Sequence, residues 1–395
     1  MDEDTLIAEK VAEARAAVEE NEADCWLTFA RETTEIAEPC LPFLLGFDVV
    51  WPTAVIVTPE RSVAILGRHD APNAEALGVH DVRPYDESIE SDLVETVDEI
   101  DPDAIAVNVS EDDTVADGLT HGMYRRLQEL LDGTGYEDAF VSAEDVVARV
   151  RGRKSETEYG RIETAAAETE RLLAEAVDAW TPETTETEFS EFLHERMREA
   201  DYGSAWSWDY CPTVHAGGAA PVGHTLPGER TVPPGEVLHV DFGVTVEEYA
   251  ADIQRLYYRP REDGEGIPDG LQAAYEDVRA AIDAGAAVLE PGAVGHAVDA
   301  AARAELTDRG WPAFQHAFGH QVGRNAHDGG TLLGPEWDRY GDLPNREVAV
   351  DEVYTMELGV ETEWGYLGQE EMVRITEDGH EFVVDPQTEL RRLSP

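Results

Sequence analysis

The sequence predicts an α+β chain in two parts, a smaller α/β domain over residues 1–150 and a larger domain over 151–395. Three observations predict it. Helical and strand-like segments alternate through the first 150 residues, and a basic patch with a helix-start signature interrupts the chain near 150–155. Beyond that point strands and helices come in separate runs rather than in βαβ order. A length of 395 residues suits two or three domains of about 150 residues each.

The first helix is expected over about 4–20, in the acidic stretch MDEDTLIAEKVAEARAAVEE. That stretch lacks the basic start and apolar run of a signal peptide. Apolar strand candidates follow at 26–30, 54–57, 63–66 and 104–107, with a helical stretch near 117–131. A sequon at Asn108-Val109-Ser110 is a chance match in a chain of this kind. The domain join carries Arg149, Arg151, Arg153 and Lys154, and Ser155 with Glu158 three residues on reads as a capping box opening a long helix. Further helices are expected at about 187–200, 268–288 and 295–309, with strand and turn to the end.

The charge is extreme: 29 basic against 85 acidic side chains, net −56. Such a field repels phosphate, so nucleic acid and membrane surfaces are excluded as partners. Lys10 and Lys154 are the sole lysines among those basic residues. Abundant carboxylate with almost no lysine suits a protein bathed in molar salt, where the Debye length is about 3 Å. A hydrophobic fraction of 42% still allows a large core, so disorder is not the reading. Cys25, Cys40 and Cys211 are scattered and odd in number, as in a reducing cytoplasm. No run approaches the ~18 apolar residues of a membrane span.

Chemistry concentrates in the second part. In GEVLHVDFGVTVEEYAADIQRLYYR, Asp241 and Asp252 interrupt two apolar runs around a polar turn. A hairpin centred between Val246 and Glu247 would set them directly opposite one another. Facing carboxylates repel, so either one of them is a turn or edge residue or a cation lies between, Arg255 being the one nearby positive side chain. Next, HAFGHQVGRNAHDGG holds His316, His320 and His327 among glycines, either a metal-binding run or a surface histidine loop. Glu357 in VYTMELGV and Glu370 in YLGQEEMVRIT sit inside strand-like runs, either facing solvent or paired with a cation.

Taken in order, these motifs resemble the pita-bread metallopeptidase family: Asp, Asp eleven residues later, a GHxxG histidine, then two glutamates in late strands. That family includes methionine aminopeptidase, Xaa-Pro aminopeptidase and prolidase, along with creatinase. The match spans about 155–395, and the leading α/β domain is typical of the Xaa-Pro aminopeptidase, prolidase and creatinase branch. The resemblance implies a pita-bread catalytic domain behind a creatinase-type N-terminal domain. It makes Asp241, Asp252, His320, Glu357 and Glu370 the ligands of two divalent metal ions. An oxygen-rich set with one imidazole favours Mn²⁺, with Co²⁺, Zn²⁺ or Fe²⁺ as alternatives.

The implied activity is exopeptidase cleavage of short peptides at Xaa-Pro bonds, with a non-peptide hydrolase or lyase of the same fold as the alternative. Glu357 doubles as proton shuttle, His224 and His327 line the substrate pocket, His316 is an outer-shell histidine, and Tyr249 matches a recurrent tyrosine for which core packing serves equally well. Trp206, Trp208 and Tyr210 either wall that pocket or belong to the core. The branch also implies a homodimer. Three positions depart from its pattern: Gly368 stands where an arginine is usual, Leu358 for a proline and Glu371 for an aspartate. The missing arginine bears on substrate choice rather than on the ligands.

Overall fold

In the computed structural model, which describes residues 3–34, 38–223 and 225–395, the chain divides into two units, Met1–Thr157 and Glu158–Pro395. In the first, strands β1 (Cys25–Ala30), β2 (Thr53–Val57), β3 (Ser62–Gly67), β4 (Asp81–Tyr85), β5 (Ile105–Val107) and β6 (Phe140–Ser142) form one sheet in the order β4-β3-β2-β1-β5-β6. Every residue of β1, β2 and β3 is buried, which is why they read as nearly unbroken apolar runs. Helix Glu3–Glu19 lays Ile7, Val11, Ala14 and Val18 on one face beside Trp26 and Val55. Helices Glu90–Ile100 and His121–Leu130 cover the other with Leu93, Val97, Met123 and Leu127. Strand β4 escaped the sequence reading because it is a half-buried edge containing Pro84.

The basic patch turns largely inward. Both lysines are buried, Lys10 at 1% and Lys154 at 3% exposure. Lys10 Nζ donates to the Arg153 carbonyl at 2.9 Å and Lys154 Nζ to that of Arg151. They cap helix Glu144–Gly152 at its C-terminal end, where the helix dipole favours cations. Arg151 stacks over Phe43 at 4.9 Å, and Arg149 pairs with Glu13 at 2.7 Å. The sequon asparagine is buried as well: Trp26 Nε1 donates to Asn108 Oδ1 at 2.6 Å, and Asn108 Nδ2 donates to Glu38.

The second unit opens with the long helix Glu156–Ala179, beginning just after Ser155. A capping box starts helix Glu186–Glu199, where Thr185 and Glu188 exchange side-chain-to-backbone bonds. Its strands are β7 (Gly203–Ser204), β8 (Thr213–Ala216), β9 (Val237–Phe242), β10 (Val244–Val246), β11 (Tyr249–Ala250), β12 (Ile253–Tyr258), β13 (Val353–Thr362), β14 (Gly365–Thr376), β15 (Gly379–Phe382) and β16 (Arg391–Arg392). The main sheet runs β13-β14-β12-β9-β8, with β15 on β14 and β16 on β12. Helices Asp269–Ala286 and Gly295–Asp308 bury Leu271, Val278, Ile282 and Val298 with Leu358, Val360 and Leu367 of the sheet. The expected α+β class is observed, and no described helix is long and apolar enough to cross a membrane.

The hairpin register differs from expectation. Thr245 pairs with Ala250 and Val246 with Tyr249, so the turn is the two residues Glu247 and Glu248. Both have positive φ, 47° and 67°, as a type I′ hairpin turn requires. In the longer ladder Asp241 therefore faces Gln254, not Asp252. The slip is two residues, an even number, so Asp252 keeps the same face as Asp241 and becomes its diagonal neighbour.

Arg255, one residue on from Gln254, projects to the opposite face. Its side chain is fully buried and pairs with Glu170 of the long helix and with Glu371, whose Oε2 lies 3.1 Å from Nη2. Nη1 donates to the carbonyls of Gln254 and Glu370 at 2.9 and 2.8 Å. Those bonds brace the β12–β14 seam, where Gln254 and Glu370 are the one paired position. Arg255→Met is expected to cost about 3 kcal/mol of unfolding free energy, because it leaves buried Glu371 with Arg279 as its remaining cation and removes the bonds to the Gln254 and Glu370 carbonyls. Denaturant melting would show it; a loss below about 1 kcal/mol would contradict the bracing role.

Candidate metal centre

Register alone assembles most of the site. Glu357 on β13 pairs with Glu370 on β14, Glu370 with Gln254 on β12, and Gln254 with Asp241 on β9. Directly paired residues project to the same face, so three carboxylates and an amide form a row across four strands. Asp252 joins them on that face from just ahead of β12.

His320 arrives from a loop segment running alongside β13. Thr355 N donates to the His320 carbonyl at 2.9 Å, and Glu357 N donates to that of Phe318 at 2.6 Å. Gly319 permits this approach, since a Cβ there would lie 2.0 Å from the Thr355 carbonyl oxygen. His320 Nδ1 faces the Gln321 carbonyl at 3.3 Å and so carries the proton. Its Nε2 then aims a lone pair at Asp252 Oδ2, Glu357 Oε1 and Glu370 Oε1, 3.8, 3.9 and 4.0 Å away. Burial, then the adjacent His327, holds the imidazole pKa down to about 3, so the ring is neutral.

The carboxylates are forced the other way. Burial pushes Asp241 up to about 7. Burial and the charge of Asp241 push Glu357 up to about 8. Asp252 and Glu370 rise well above the ordinary range from burial and then from the surrounding carboxylates. Asp241 Oδ1 and Glu370 Oε2 are buried without a hydrogen-bond partner. Ligand-type atoms of Asp252, His320 and Glu370 lie within 4.8 Å of one another. Lone pairs converging on one buried spot repel unless a cation sits among them, so these donors fit a divalent metal.

A cavity of about 300 Å³ opens on the cluster, lined by Trp206, Ser207, Tyr210, His327, Gln254 and the five predicted ligands. A second of about 260 Å³ shares Asp241, Gln254, His320, His327 and Glu357, and extends to His215, His239, His316 and Tyr366. The ring of His327 lies 4.2 Å from that of His320. His316 is exposed at the second cavity, beside Phe314. Trp208 stands apart, against His194 and Arg198. Tyr249 lies outside both cavity linings: it is fully buried between the Arg161 and Arg324 guanidiniums, and its hydroxyl donates to Glu158 at 2.9 Å. His224 falls outside the described residues.

The sequence reading missed Gln254, which sits in the middle of the carboxylate row, and the buried pair His215 and His239 beside it. The available signal was spacing: Gln254 follows Asp252 by two in a strand, which puts an amide on the carboxylate face.

Residues 160–377 match metallopeptidase family M24. An Xaa-Pro dipeptidase of Lactobacillus delbrueckii subsp. lactis is 27% identical over 214 residues, 53% of this chain and 55% of that enzyme, so the chain aligns with about half of that relative's length. Among solved structures, an Xaa-Pro dipeptidase from Bacillus anthracis superposes with a TM-score of 0.75 at 21% identity, covering 98% of this chain and 100% of the other. An X-Pro aminopeptidase from Thermotoga maritima gives 0.73 at 21%, covering 96% and 100%. The likeness shows the pita-bread fold with its leading N-terminal domain.

With pKa values of about 7 and 8 at Asp241 and Glu357, a cation entering the cluster at pH 6.5 displaces protons. Calorimetric titration of metal-free protein with Mn²⁺, in buffers of different ionisation enthalpy, should report release of at least about one proton at pH 6.5, falling as pH rises. Buffer-independent heat at pH 6.5 would contradict it.

Proposed function

The chain belongs to metallopeptidase family M24, and on that premise we propose that it is an exopeptidase cleaving short peptides, with Xaa-Pro bonds preferred. The observation that carries this reading is the row of Asp241, Glu370 and Glu357 across paired strands, completed by Asp252 and His320. These five residues would hold two divalent ions, whose charge of +4 balances four carboxylates, with Mn²⁺ best suited to the donor set. Bound there, the ions supply an acidified water as nucleophile and polarise the scissile carbonyl.

The remaining work falls to the chain's own groups. Glu357 Oε2 accepts from Gln254 Nε2 at 2.8 Å, and Glu357 takes the proton of the attacking water and delivers it to the leaving amine. His327, exposed at the cavity beside His320, is placed to hydrogen-bond the substrate. Trp206 and Tyr210 offer an apolar wall for proline or a similar side chain. His224 completes this set by resemblance alone.

Neither cavity lining contains a lysine or arginine among the described residues. A free carboxylate next to the scissile bond would meet only acidic, amide, hydroxyl, imidazole and apolar groups there. This favours an aminopeptidase acting on three or more residues over a dipeptidase.

The test is a panel of dipeptides, dipeptide amides and tripeptides in molar KCl, with protein stripped of metal and reloaded with Mn²⁺, Co²⁺ or Zn²⁺. High salt screens the self-repulsion of a chain at −56. Metal-restored cleavage of Xaa-Pro tripeptides and amides ahead of free dipeptides is expected. His320→Ala should lower kcat/KM by more than about 100-fold. A folded protein that binds two metals and leaves every peptide intact would overturn the peptidase reading in favour of a non-peptide substrate.

A further inference from the structure

Gln254 is the one member of the cross-strand row that is not acidic, and it is anchored from behind. Its Nε2 donates to Glu357 Oε2 at 2.8 Å, while its Oε1 accepts from His239 Nε2 at 2.9 Å. That orientation of the amide follows for the metal-loaded protein, in which the Glu357 carboxylate is ionised and only accepts. His239 Nδ1 meets His215 Nδ1 at 3.1 Å, and the two rings stack 5.2 Å apart at 15°. His215 Nε2 lies 3.2 Å from the Gly223 carbonyl. All three side chains are buried, at 7% exposure or less.

Two glycines make room for this chain. Gly359 and Gly368 face one another across β13 and β14. A Cβ on Gly368 would lie 2.4 Å from Gln254 Oε1, 2.5 Å from the Tyr366 ring and 2.6 Å from His239 Nε2. A Cβ on Gly359 would lie 2.5 Å from the Tyr366 ring. Tyr366 in turn stands edge-on to His239 at 5.0 Å and to His215 at 6.3 Å. The strand positions beside the ligands are thus bare so that the Gln254 amide, the His239 imidazole and the Tyr366 ring can occupy the space above them.

The consequence falls on Glu357. Its Oε2 is tied to Gln254 while its Oε1 is the atom turned toward His320, 3.9 Å away. The Glu357 side chain is the most exposed of the three carboxylates facing His320, at 21% against 8% for Asp252 and 2% for Glu370. Packing alone therefore restrains it least. We propose that Gln254, held by His239 and His215 in the space left by Gly368, is a positioning residue that fixes the Glu357 carboxylate for proton transfer. The proposal rests on the reading of Glu357 as the proton shuttle.

The test is a double-mutant cycle with Gln254→Met, which keeps length and removes both hydrogen bonds, and Gly368→Ala, which removes no polar atom but crowds the amide. Each single variant, metal-loaded, should lose kcat by about 10- to 100-fold with KM within about 2-fold and metal content unchanged. The double variant should be no more than about 3-fold worse than Gln254→Met alone. Imidazole ¹⁵N resonances of the Zn²⁺-loaded protein give a reading independent of turnover: Glu357→Gln and Gln254→Met should both move the His239 Nε2 signal. Multiplicative losses, a rise in KM at unchanged kcat, loss of metal, or a His239 signal indifferent to Glu357→Gln would overturn the proposal. If wild-type protein cleaves no peptide, the peptidase reading falls, and the imidazole signals alone decide the positioning claim.

Discussion

Four carboxylates and a neutral imidazole share one buried spot on one face of a β-sheet, and much of the second unit is organised to keep them there. No set of like charges would converge at these distances for stability. The sheet holds them by covalent alternation: in β12 and β14, residues 254 and 370 face the cluster, while residues 255 and 371 face the other way. On that far side Arg255, Glu371, Glu170 and Arg279 form a balanced buried ion network, with Arg279 Nη1 3.1 Å from Glu371 Oε1. The same guanidinium binds the main-chain carbonyls of Gln254 and Glu370. The frustrated face and the satisfied face are thus two sides of one seam.

The whole-chain charge belongs to a different level of the problem. At −56 the protein carries a large negative field, yet its two lysines are spent inside the first unit on helix carbonyls. Exposed positive charge is left to arginines, many in local pairs such as Arg171 with Glu168 and Glu175, or Arg309 with Glu305 and Asp277. Exposed pairs of that type contribute about 0–1 kcal/mol each. They do not explain the fold, which rests on the apolar layers either side of the first sheet and behind the second.

Much of this was legible in the sequence. The apolar runs of β1, β2 and β3 announced themselves because both faces of their sheet are covered. The order of Asp241, Asp252, His320, Glu357 and Glu370 carried the family. The hairpin register was misread by two residues, since Glu247 and Glu248 adopt positive φ without glycine, and the turn lacked its usual marker. The error left the face unchanged because two is the side-chain period of a strand. Taken singly, Glu357 and Glu370 looked like ordinary solvent-facing strand residues, because their burial comes from pairing between strands. Gln254, His215 and His239 gave no signal of charge or cluster; they meet because β8, β9 and β12 lie side by side in the sheet. Gly368 was visible as a departure, but the amide and imidazole that fill its space were not.

The central claim is that the five residues form one dinuclear centre. Anomalous diffraction from crystals grown with excess Mn²⁺ tests it most directly. Two peaks about 3.5–4 Å apart, both within the reach of Asp241, Asp252, His320, Glu357 and Glu370, are the expected result. A single peak, or none with the carboxylates hydrogen-bonded to one another as acids, would contradict it.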